Sequence, residues 1–277
     1  MGKKLEKRSI PANILILILL AVSYLYPLYF MGVNSLKSQA EYMKDMFSVD
    51  LLKGHFENYL IIFKNFKIGQ YLFNTLLVTV LKLVFTMPLA IFASYAFAKL
   101  RFRGKNAMYP LIISAMFIPF QVIMIPVYTM LTKLHMIDTY RGLILVTGTI
   151  GIPSSIMLLS SSFRSIPNEL LEAAAIDGCG YFRKIFHIMI PMGKPAIAIC
   201  TIMGFISSWN DLLPPMVIIK SVNKRLVMPA LDGLVSMYNA DTPFQLTGIL
   251  IAAVPAIAIY LILSKQIIMG ISAGSTK

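Results

Sequence analysis

Lys82 is an ionisable residue near the middle of a long apolar stretch, and it belongs to a polar stripe with helical spacing. The members lie four, three and four residues apart: Thr75, Thr79, Lys82 and Thr86. Ionisable residues inside a membrane span are costly and usually functional, so we expect the stripe to face protein or water rather than lipid. Two interpretations remain open. The stripe lines a pathway, or the threonines bond their own backbone while the lysine pairs internally or extends to the interface.

The residue types that catalyse reactions or hold metals are scattered. Cys179 and Cys200 match no zinc motif and cannot form a disulfide framework. The glycine–lysine pairs at 104–105 and 193–194 lack the earlier glycine and the following Ser/Thr of a phosphate-binding loop. The histidines lie in predicted loops without a second ligand at metal spacing: His55, His135 and His187. We therefore predict no catalytic site, no metal site and no ATPase activity in this chain.

Composition identifies the elements that must position Lys82. Of 277 residues, 57% are hydrophobic and 13% are charged, whereas soluble domains have about 45–50% apolar and about 25% charged residues. The net charge of +13 could indicate a nucleic-acid partner. The basic residues cluster beside the apolar stretches, however, as they do in membrane proteins. We predict an all-α, multi-pass membrane protein that contacts lipid and no nucleic acid.

Six apolar stretches are long enough to span a bilayer. They fall near residues 12–33, 71–98, 107–131, 142–163, 195–219 and 244–268. The first follows a basic start but is too long for a signal peptide and lacks a small-residue cleavage site, so we expect it to be retained. The sequence shows no linker and no segment with the composition of a separate domain. Residues 1–277 are therefore expected to form a single transmembrane domain.

Basic residues also predict the orientation. The segment between the second and third spans carries four of them and no acid: Lys99, Arg101, Arg103 and Lys105. With the basic N-terminus, this segment marks the cytoplasmic side under the positive-inside rule. Six spans then place both termini in the cytoplasm.

The segment 164–194, between the fourth and fifth spans, is less apolar than its flanks and is expected to be cytoplasmic. Pro167 suits the first turn of a helix, and Gly178 can end that helix in a left-handed conformation. A second, amphipathic helix is predicted to end at Pro191, with an apolar face at helical spacing formed by Phe182, Ile185, Phe186 and Met189.

The first of these helices carries a pattern suited to contact with another protein. Ala173, Ala174 and Ala175 remove side-chain bulk, and Glu172 offers a charge to a basic residue on a partner. The alternative is a helix pair that packs only against its own spans.

The same segment resembles a family signature. Glu172-Ala173-Ala174, Gly178, then Ile188, Ile190 and Pro191 resemble the E-A-A-x₃-G-x₉-I-x-L-P pattern of the membrane subunits of ATP-binding-cassette importers, with Ile190 in place of Leu. Other segments resemble the carbohydrate branch of these permeases: 55–59, 73–75, 93–98, 102–105, 119–121 with 125–126, and 209–211. The ending 270–274 is similar to the tail of the smaller membrane subunit of maltose transporters, although this chain closes with Ser275-Thr276-Lys277.

The resemblance implies a function and a set of partners. The loop 164–194 would be the coupling helix, seated in a cleft of a cytoplasmic ATPase, with Glu172, Ala173, Ala174, Asp177 and Gly178 as the contact and turn residues. The partners would be a homologous second permease, two ATPase subunits that bind ATP and Mg, and an external sugar-binding protein. The chain itself would need no cofactor, and it would lie in a bacterial cytoplasmic membrane. ATPase closure would move the loop and switch the spans between inward-open and outward-open states.

If the substrate is a sugar, Trp209, Asn210 and Asp211 offer an aromatic face, an amide and a carboxylate. Consecutive positions cannot share one helix face, so at most two of the three reach one ligand. Alternatively, Trp209 is an interface anchor and Asp211 lies in the outer headgroup zone. Gln121, between Pro119 and Pro126, is a weaker pathway candidate.

Other functions remain as alternatives. Permeases for other solutes, such as an anionic sugar or a polyamine, share the coupling loop, and Lys82 suits an anionic substrate. An ion-driven secondary transporter or a channel would need no ATPase but requires carboxylates within the membrane. Asp211 is the single acid that we place in a span.

Overall fold

The computed structural model of the chain describes residues 3–48, 54–237 and 241–274, and side chains within 13–48, 54–235 and 241–262. Within these residues the regular structure is entirely helical, which confirms the all-α prediction. The α-helices are α1 (Lys3–Asn34), α2 (Gln39–Lys44), α3 (Glu57–Lys64), α4 (Ile68–Lys99), α5 (Lys105–Ser114), α6 (Phe120–Lys133), α7 (Tyr140–Ser165), α8 (Asn168–Ile176), α9 (Tyr181–Lys184), α10 (Ile190–Met192), α11 (Lys194–Trp209), α12 (Leu213–Ile218), α13 (Val227–Met237) and α14 (Thr242–Gly274). The end of the predicted tail, Ser275–Lys277, lies outside the described residues.

Four of the helices are long and apolar enough to cross a membrane by themselves. The qualifying segments are Asn13–Asn34, Ile68–Lys99, Tyr140–Ser165 and Thr242–Ile262. Two bent pairs of helices also qualify when each pair is taken as one span. They are Lys105–Phe117 with Phe120–Lys133, and Tyr181–Met192 with Lys194–Trp209. The described residues therefore agree with a fold of up to six membrane spans, as predicted.

The predicted third span, 107–131, is a bent pair rather than one helix. α5 continues as a 3₁₀ turn to Phe117, and the axis then bends by 98° before α6 begins at Phe120. Ile118 has extended backbone angles (φ −91°, ψ 108°). A residue that precedes proline is disfavoured in the helical region, and Pro119 follows Ile118. The proline thus sets the position of the bend.

The predicted fifth span, 195–219, is also interrupted. α11 ends at Trp209 and α12 begins at Leu213, so Asp211 lies in a break between helices instead of within a helical span. At its other end, α11 bends by 79° from the arm Tyr181–Met192. That arm reaches one residue beyond the predicted end at Pro191, because a π-helical turn at Ile185–Met189 accommodates the proline.

The described chain divides into two compact units. The first comprises Met1–Gly69 and Leu231–Val254. In it the Ser35 carbonyl accepts hydrogen bonds from Asn58 Nδ2 (2.9 Å) and Thr247 Oγ1 (3.1 Å). These bonds join segments that are distant in sequence through one buried backbone group.

The second unit comprises Gln70–Ala230 and Pro255–Lys277. One apolar cluster joins α4, α7 and α11 through Met87, Ala90, Phe97, Ile156, Leu159, Ala196 and Cys200. A second cluster joins α4, α6, α7 and α12 through Val78, Leu131, Leu143, Val146 and Ile218. α4 therefore has apolar contacts on several sides, and its polar stripe lies among helices of the same unit.

Candidate functional site

Two neighbouring cavities in the second unit meet at Lys82. The smaller has a volume of about 240 Å³ and lies among α4, α7 and α11. The larger has a volume of about 490 Å³ and extends to α6 and to the break between α11 and α12. Four residues line both: Lys82, Gly151, Ser154 and Ser207. The shared lining makes them two parts of one cavity system, which we call the passage.

Close packing of small residues holds α4 at this level. A Cβ atom at Gly148 would lie 2.6 Å from Phe85 Cδ1, and one at Gly204 would lie 2.8 Å from Leu83 Cδ2. Thr86 Oγ1 also donates a hydrogen bond of 3.2 Å to the Gly148 carbonyl. Glycines at helix contacts are typical of membrane proteins, where they let backbones approach closely. They fix Lys82 between α7 and α11.

The polar stripe on α4 is buried, and its members have different partners. Thr75 Oγ1 donates to the Tyr71 carbonyl (2.7 Å) and accepts from the Val227 N–H (2.8 Å). Thr79 Oγ1 donates to Ser208 Oγ at 3.1 Å. Lys82 is 6% exposed and, in the part of the chain that the structure describes, donates no hydrogen bond and forms no ion pair. Thr75 and Thr79 thus bond within the protein, while Lys82 faces the passage.

Breaks in the helices bring Gln121 and Asp211 to the larger cavity. Gln121 is in the first turn of α6, directly after the bend at Pro119. Asp211 lies in the break that precedes α12. Non-helical backbone at membrane depth is tolerated where it lines a polar cavity or is buried in protein. Both breaks lie beside the larger cavity. The Gln121 amide and the Asp211 carboxylate therefore line the same cavity as Lys82.

The other two residues of the Trp209-Asn210-Asp211 run do not line either cavity. Trp209 is buried and stacks on Phe205, with ring centroids 5.4 Å apart and an interplanar angle of 18°. Asn210 is exposed, and its Nδ2 donates to the Ile206 carbonyl at 2.8 Å. Of the three residues, only Asp211 lines the passage. Helix α11 ends at Trp209, so the residues that follow do not continue its helical register. Thr79 is also absent from the lining.

Several hydroxyl residues of the lining were missed from the sequence. Thr147, Ser154 and Ser155 come from α7, and Ser207 comes from the last turn of α11. Gly151-Ile152-Pro153 followed by two serines is a polar interruption in an apolar helix. That pattern was the available signal for this part of the passage.

Helix α8 presents the predicted coupling residues in two directions. Glu172 and Ala173 are exposed, whereas Ala174, like Leu171, is buried. Close approach by a partner is therefore open to Ala173 and Ala175 but not to Ala174. Asp177, which is exposed, is the C-cap residue of the helix.

A glycine turn ends α8. Gly178 has φ +75°, a left-handed conformation that glycine adopts without strain. The Cys179 N–H donates to the Ala174 carbonyl at 2.8 Å and closes the helix end. No atom lies within 4 Å of a Cβ built on Gly178, so the turn projects into open space.

The second helix of the loop buries only half of its predicted apolar face. Ile185 and Met189 are buried, but Phe182 and Phe186 are 71% and 55% exposed. Both exposed rings lie edge-on to Phe92, with centroids 5.9 and 6.2 Å away. The π-helical turn at Ile185–Met189 rotates successive side chains away from ideal helical register.

The chain is similar to known transport proteins over most of its length. The family described as "Binding-protein-dependent transport system inner membrane component" matches residues 86–271. The "Arabinooligosaccharides transport system permease protein AraQ" of Bacillus subtilis (strain 168) is 29% identical over 95% of this chain and 94% of the relative. The "Diacetylchitobiose uptake system permease protein NgcG" of Streptomyces coelicolor is 28% identical over 98% and 90% of the two chains.

A solved structure has the same fold. A chain of a bacterial ABC transporter involved in the import of the acidic polysaccharide alginate superposes with a TM-score of 0.77. The two chains are 23% identical, and the match covers 94% of this chain and 96% of the other.

Proposed function

This chain belongs to the family of binding-protein-dependent transport system inner membrane components, and on that premise we propose that it imports an oligosaccharide. The family is the membrane permease part of ATP-binding-cassette importers, so the chain is a transport subunit and ATP is hydrolysed by a separate subunit. The relatives whose names specify arabinooligosaccharides and diacetylchitobiose support the choice of a sugar.

The exposed helix α8 is the observation that carries the energy-coupling part of the proposal. It presents Glu172 beside a small side chain at Ala173, ahead of the left-handed turn at Gly178. A carboxylate on a protruding helix of low bulk fits a cleft that contains a basic residue. We therefore assign α8 and Gly178 to contact with a cytoplasmic ATPase, whose subunits would bind ATP and Mg.

The passage between α4, α7 and α11 is the proposed route of the sugar. It contains hydroxyl groups, an amide, a carboxylate and an ammonium group, and Phe120 contributes an aromatic side chain. Sugars are recognised by polar groups that bond hydroxyls and by aromatic rings that contact their C–H faces. Asp211, Gln121 and Ser207 would bond the hydroxyls, and Phe120, rather than the buried Trp209, would contact the C–H face of the sugar.

The assembly would contain a second permease, two ATPase subunits and an external sugar-binding protein, in a bacterial cytoplasmic membrane. In it, ATP-driven closure of the ATPase would displace α8. The attached helices α7 and α11, which line both cavities, would then move and alternate access to the passage. Both termini are assigned to the cytoplasmic side.

Uptake by proteoliposomes tests this proposal against the ion-driven alternative. The co-purified complex is reconstituted with ATP on the α8 side, and uptake of a panel of labelled oligosaccharides is measured with the binding protein outside. We expect uptake of one sugar class that stops with a non-hydrolysable ATP analogue and persists with ionophores. Uptake that needs no ATP and collapses with an ionophore would instead support a secondary transporter, for which Lys82 and Asp211 would carry the coupling.

A further inference from the structure

The Lys82 ammonium is a buried charge that interacts electrostatically with the Asp211 carboxylate, at a distance too long for an ion pair. The side chain is 6% exposed, lines both cavities and, among the described residues, donates no hydrogen bond and forms no ion pair. A buried cation that no group bonds directly is strongly unfavourable, and such groups in membrane proteins mark substrate or ion pathways. Among the described residues, no anionic group makes direct contact with this lysine.

The hydroxyl groups around Lys82 do not supply a negative charge. The hydroxyls of Thr86, Thr147 and Ser154 donate to backbone carbonyls of Gly148, Leu143 and Gly151, at 3.2, 2.8 and 3.0 Å. They are neutral, and their donor capacity is used.

Asp211 is the carboxylate that shares a cavity with Lys82. Asp211 lines the larger cavity but not the smaller one, whereas Lys82 lines both. Their charges attract each other, but the two side chains form no ion pair in this structure, so a ligand between them can contact both. A carboxylate accepts hydrogen bonds from sugar hydroxyls, and an ammonium group donates to an anion.

We propose that the passage takes an acidic oligosaccharide, one that contains a uronic acid unit, with Lys82 bound to the sugar carboxylate. The inference rests on the proposed function and specifies its substrate class. Asp211 and Gln121 bind hydroxyls of the same or the next sugar unit in the larger cavity. The cavity volumes of about 240 and 490 Å³ suit single sugar units, compared with roughly 300–1,000 Å³ for small-molecule pockets.

A pair of probes that differ only in charge tests the proposal. One is a tritium-labelled pool of di- to pentasaccharides from digests of pectin and alginate, and the other is the same pool after its carboxyl groups are reduced to alcohols. Equilibrium dialysis measures binding to the purified complex in lipid discs without the external binding protein. The selectivity of the binding protein therefore does not enter the measurement.

The variants isolate the lysine. Lys82→Met is expected to weaken binding of the acidic pool by about tenfold or more, the usual effect of losing a charge-assisted hydrogen bond. Lys82→Arg keeps the charge and should retain most of the binding. Lys133→Met removes an exposed lysine at the end of α6, outside both cavities, and should leave binding unchanged. Co-purification of the ATPase with each variant verifies that the complex is assembled.

Each result decides a different claim. Preference of the wild-type complex for the acidic pool, lost in Lys82→Met, supports the inference. Equal binding of the two pools, or unchanged binding in Lys82→Met, overturns it. ATP-driven uptake of neutral sugars can still occur in that case, so the proposed function would stand. If the assembled complex neither binds nor transports any saccharide, the proposed function fails, and the inference fails with it.

Discussion

At the scale of single residues, Asp138 organises a loop cluster outside the membrane-spanning segments. The residue has φ +58°. Its Oδ1 accepts the N–H groups of Lys220 (3.0 Å) and Ser221 (2.9 Å), and its Oδ2 accepts the Ser221 hydroxyl and Lys224 Nζ. The hydrogen bonds from the Ser221 hydroxyl and N–H, followed by those from Lys220 and Lys224, hold the Asp138 pKa well below its usual range. One carboxylate thus joins the loop before α7 to the loop after α12.

We predict that Asp138→Asn lowers the stability of the folded complex by about 1 kcal/mol at neutral pH, because charge-assisted hydrogen bonds are lost at a partly exposed site. The folded-state pKa is depressed, so the stabilisation is complete above the ordinary aspartate pKa of about 4 and is lost as the pH falls below it. Apparent melting temperatures measured between neutral and acidic pH check this. Glu57→Gln, at an exposed carboxylate, is the control.

In that experiment, the difference between wild type and Asp138→Asn should shrink as the pH falls, whereas Glu57→Gln should follow wild type throughout. Equal melting temperatures for wild type and Asp138→Asn at neutral pH would contradict the role of the cluster.

At the scale of helices, close contact between α4 and α7 determines where Lys82 lies. A Cβ at Gly148 would be 2.6 Å from Phe85 Cδ1 and 3.2 Å from Thr86 Oγ1. We predict that Gly148→Ala costs about 1–3 kcal/mol by overpacking. Gly151→Ala is the matched control, because its Cβ would meet Thr86 Cγ2 at an ordinary 3.8 Å. Thermal denaturation of the two variants should differ, and equal melting would contradict close packing at Gly148.

Lys99 connects the end of α4 to the start of α8. Its Nζ donates to the carbonyls of Arg164 (3.4 Å) and Ile166 and to Asn168 Oδ1 (2.8 Å). Lysine at these positions satisfies carbonyls that a helix end leaves free. It also ties the helix that carries Lys82 to the helix proposed to contact the ATPase.

We therefore predict that Lys99→Met lowers sugar transported per ATP hydrolysed several-fold, because α8 can move without α4. Lys99→Arg should restore part of the ratio, and Arg103→Met, at an exposed basic residue nearby, should not change it. Transport and hydrolysis are measured in the same proteoliposomes. A proportional fall in both rates, with their ratio preserved, would contradict a coupling role and indicate a structural one.

At the scale of the whole molecule, the sequence patterns predicted the all-helical membrane fold because length and hydrophobicity suffice to identify spans. They also placed Lys82 on a buried polar stripe and Gly178 at a left-handed turn, since helical spacing and glycine conformation are local properties. The breaks were harder to locate. Pro119 indicates that the helix is interrupted there, but its presence in the sequence does not specify a bend of 98°.

Positions beyond a break could not be predicted from periodicity. Helix α11 ends at Trp209, so Trp209, Asn210 and Asp211 separate into a buried ring, an exposed amide and a lining carboxylate. The burial of Leu171 on α8 depends on packing in a cluster with distant residues such as Phe163, which no local pattern specifies. The meeting of Lys82, Gln121 and Asp211 in one passage is likewise a tertiary property.

The central claim is that an ATPase bound at α8 drives transport through this chain. ATP hydrolysis by the purified complex in lipid tests it most directly, with and without the external binding protein and across a panel of oligosaccharides. We predict stimulation by one loaded binding protein in wild type. Glu172→Lys should abolish the stimulation or release the ATPase while leaving the spans inserted, and Glu57→Lys, at an exposed acid on α3, should behave as wild type. Wild-type stimulation in Glu172→Lys, or the absence of any co-purifying ATPase from a folded membrane protein, would contradict the account.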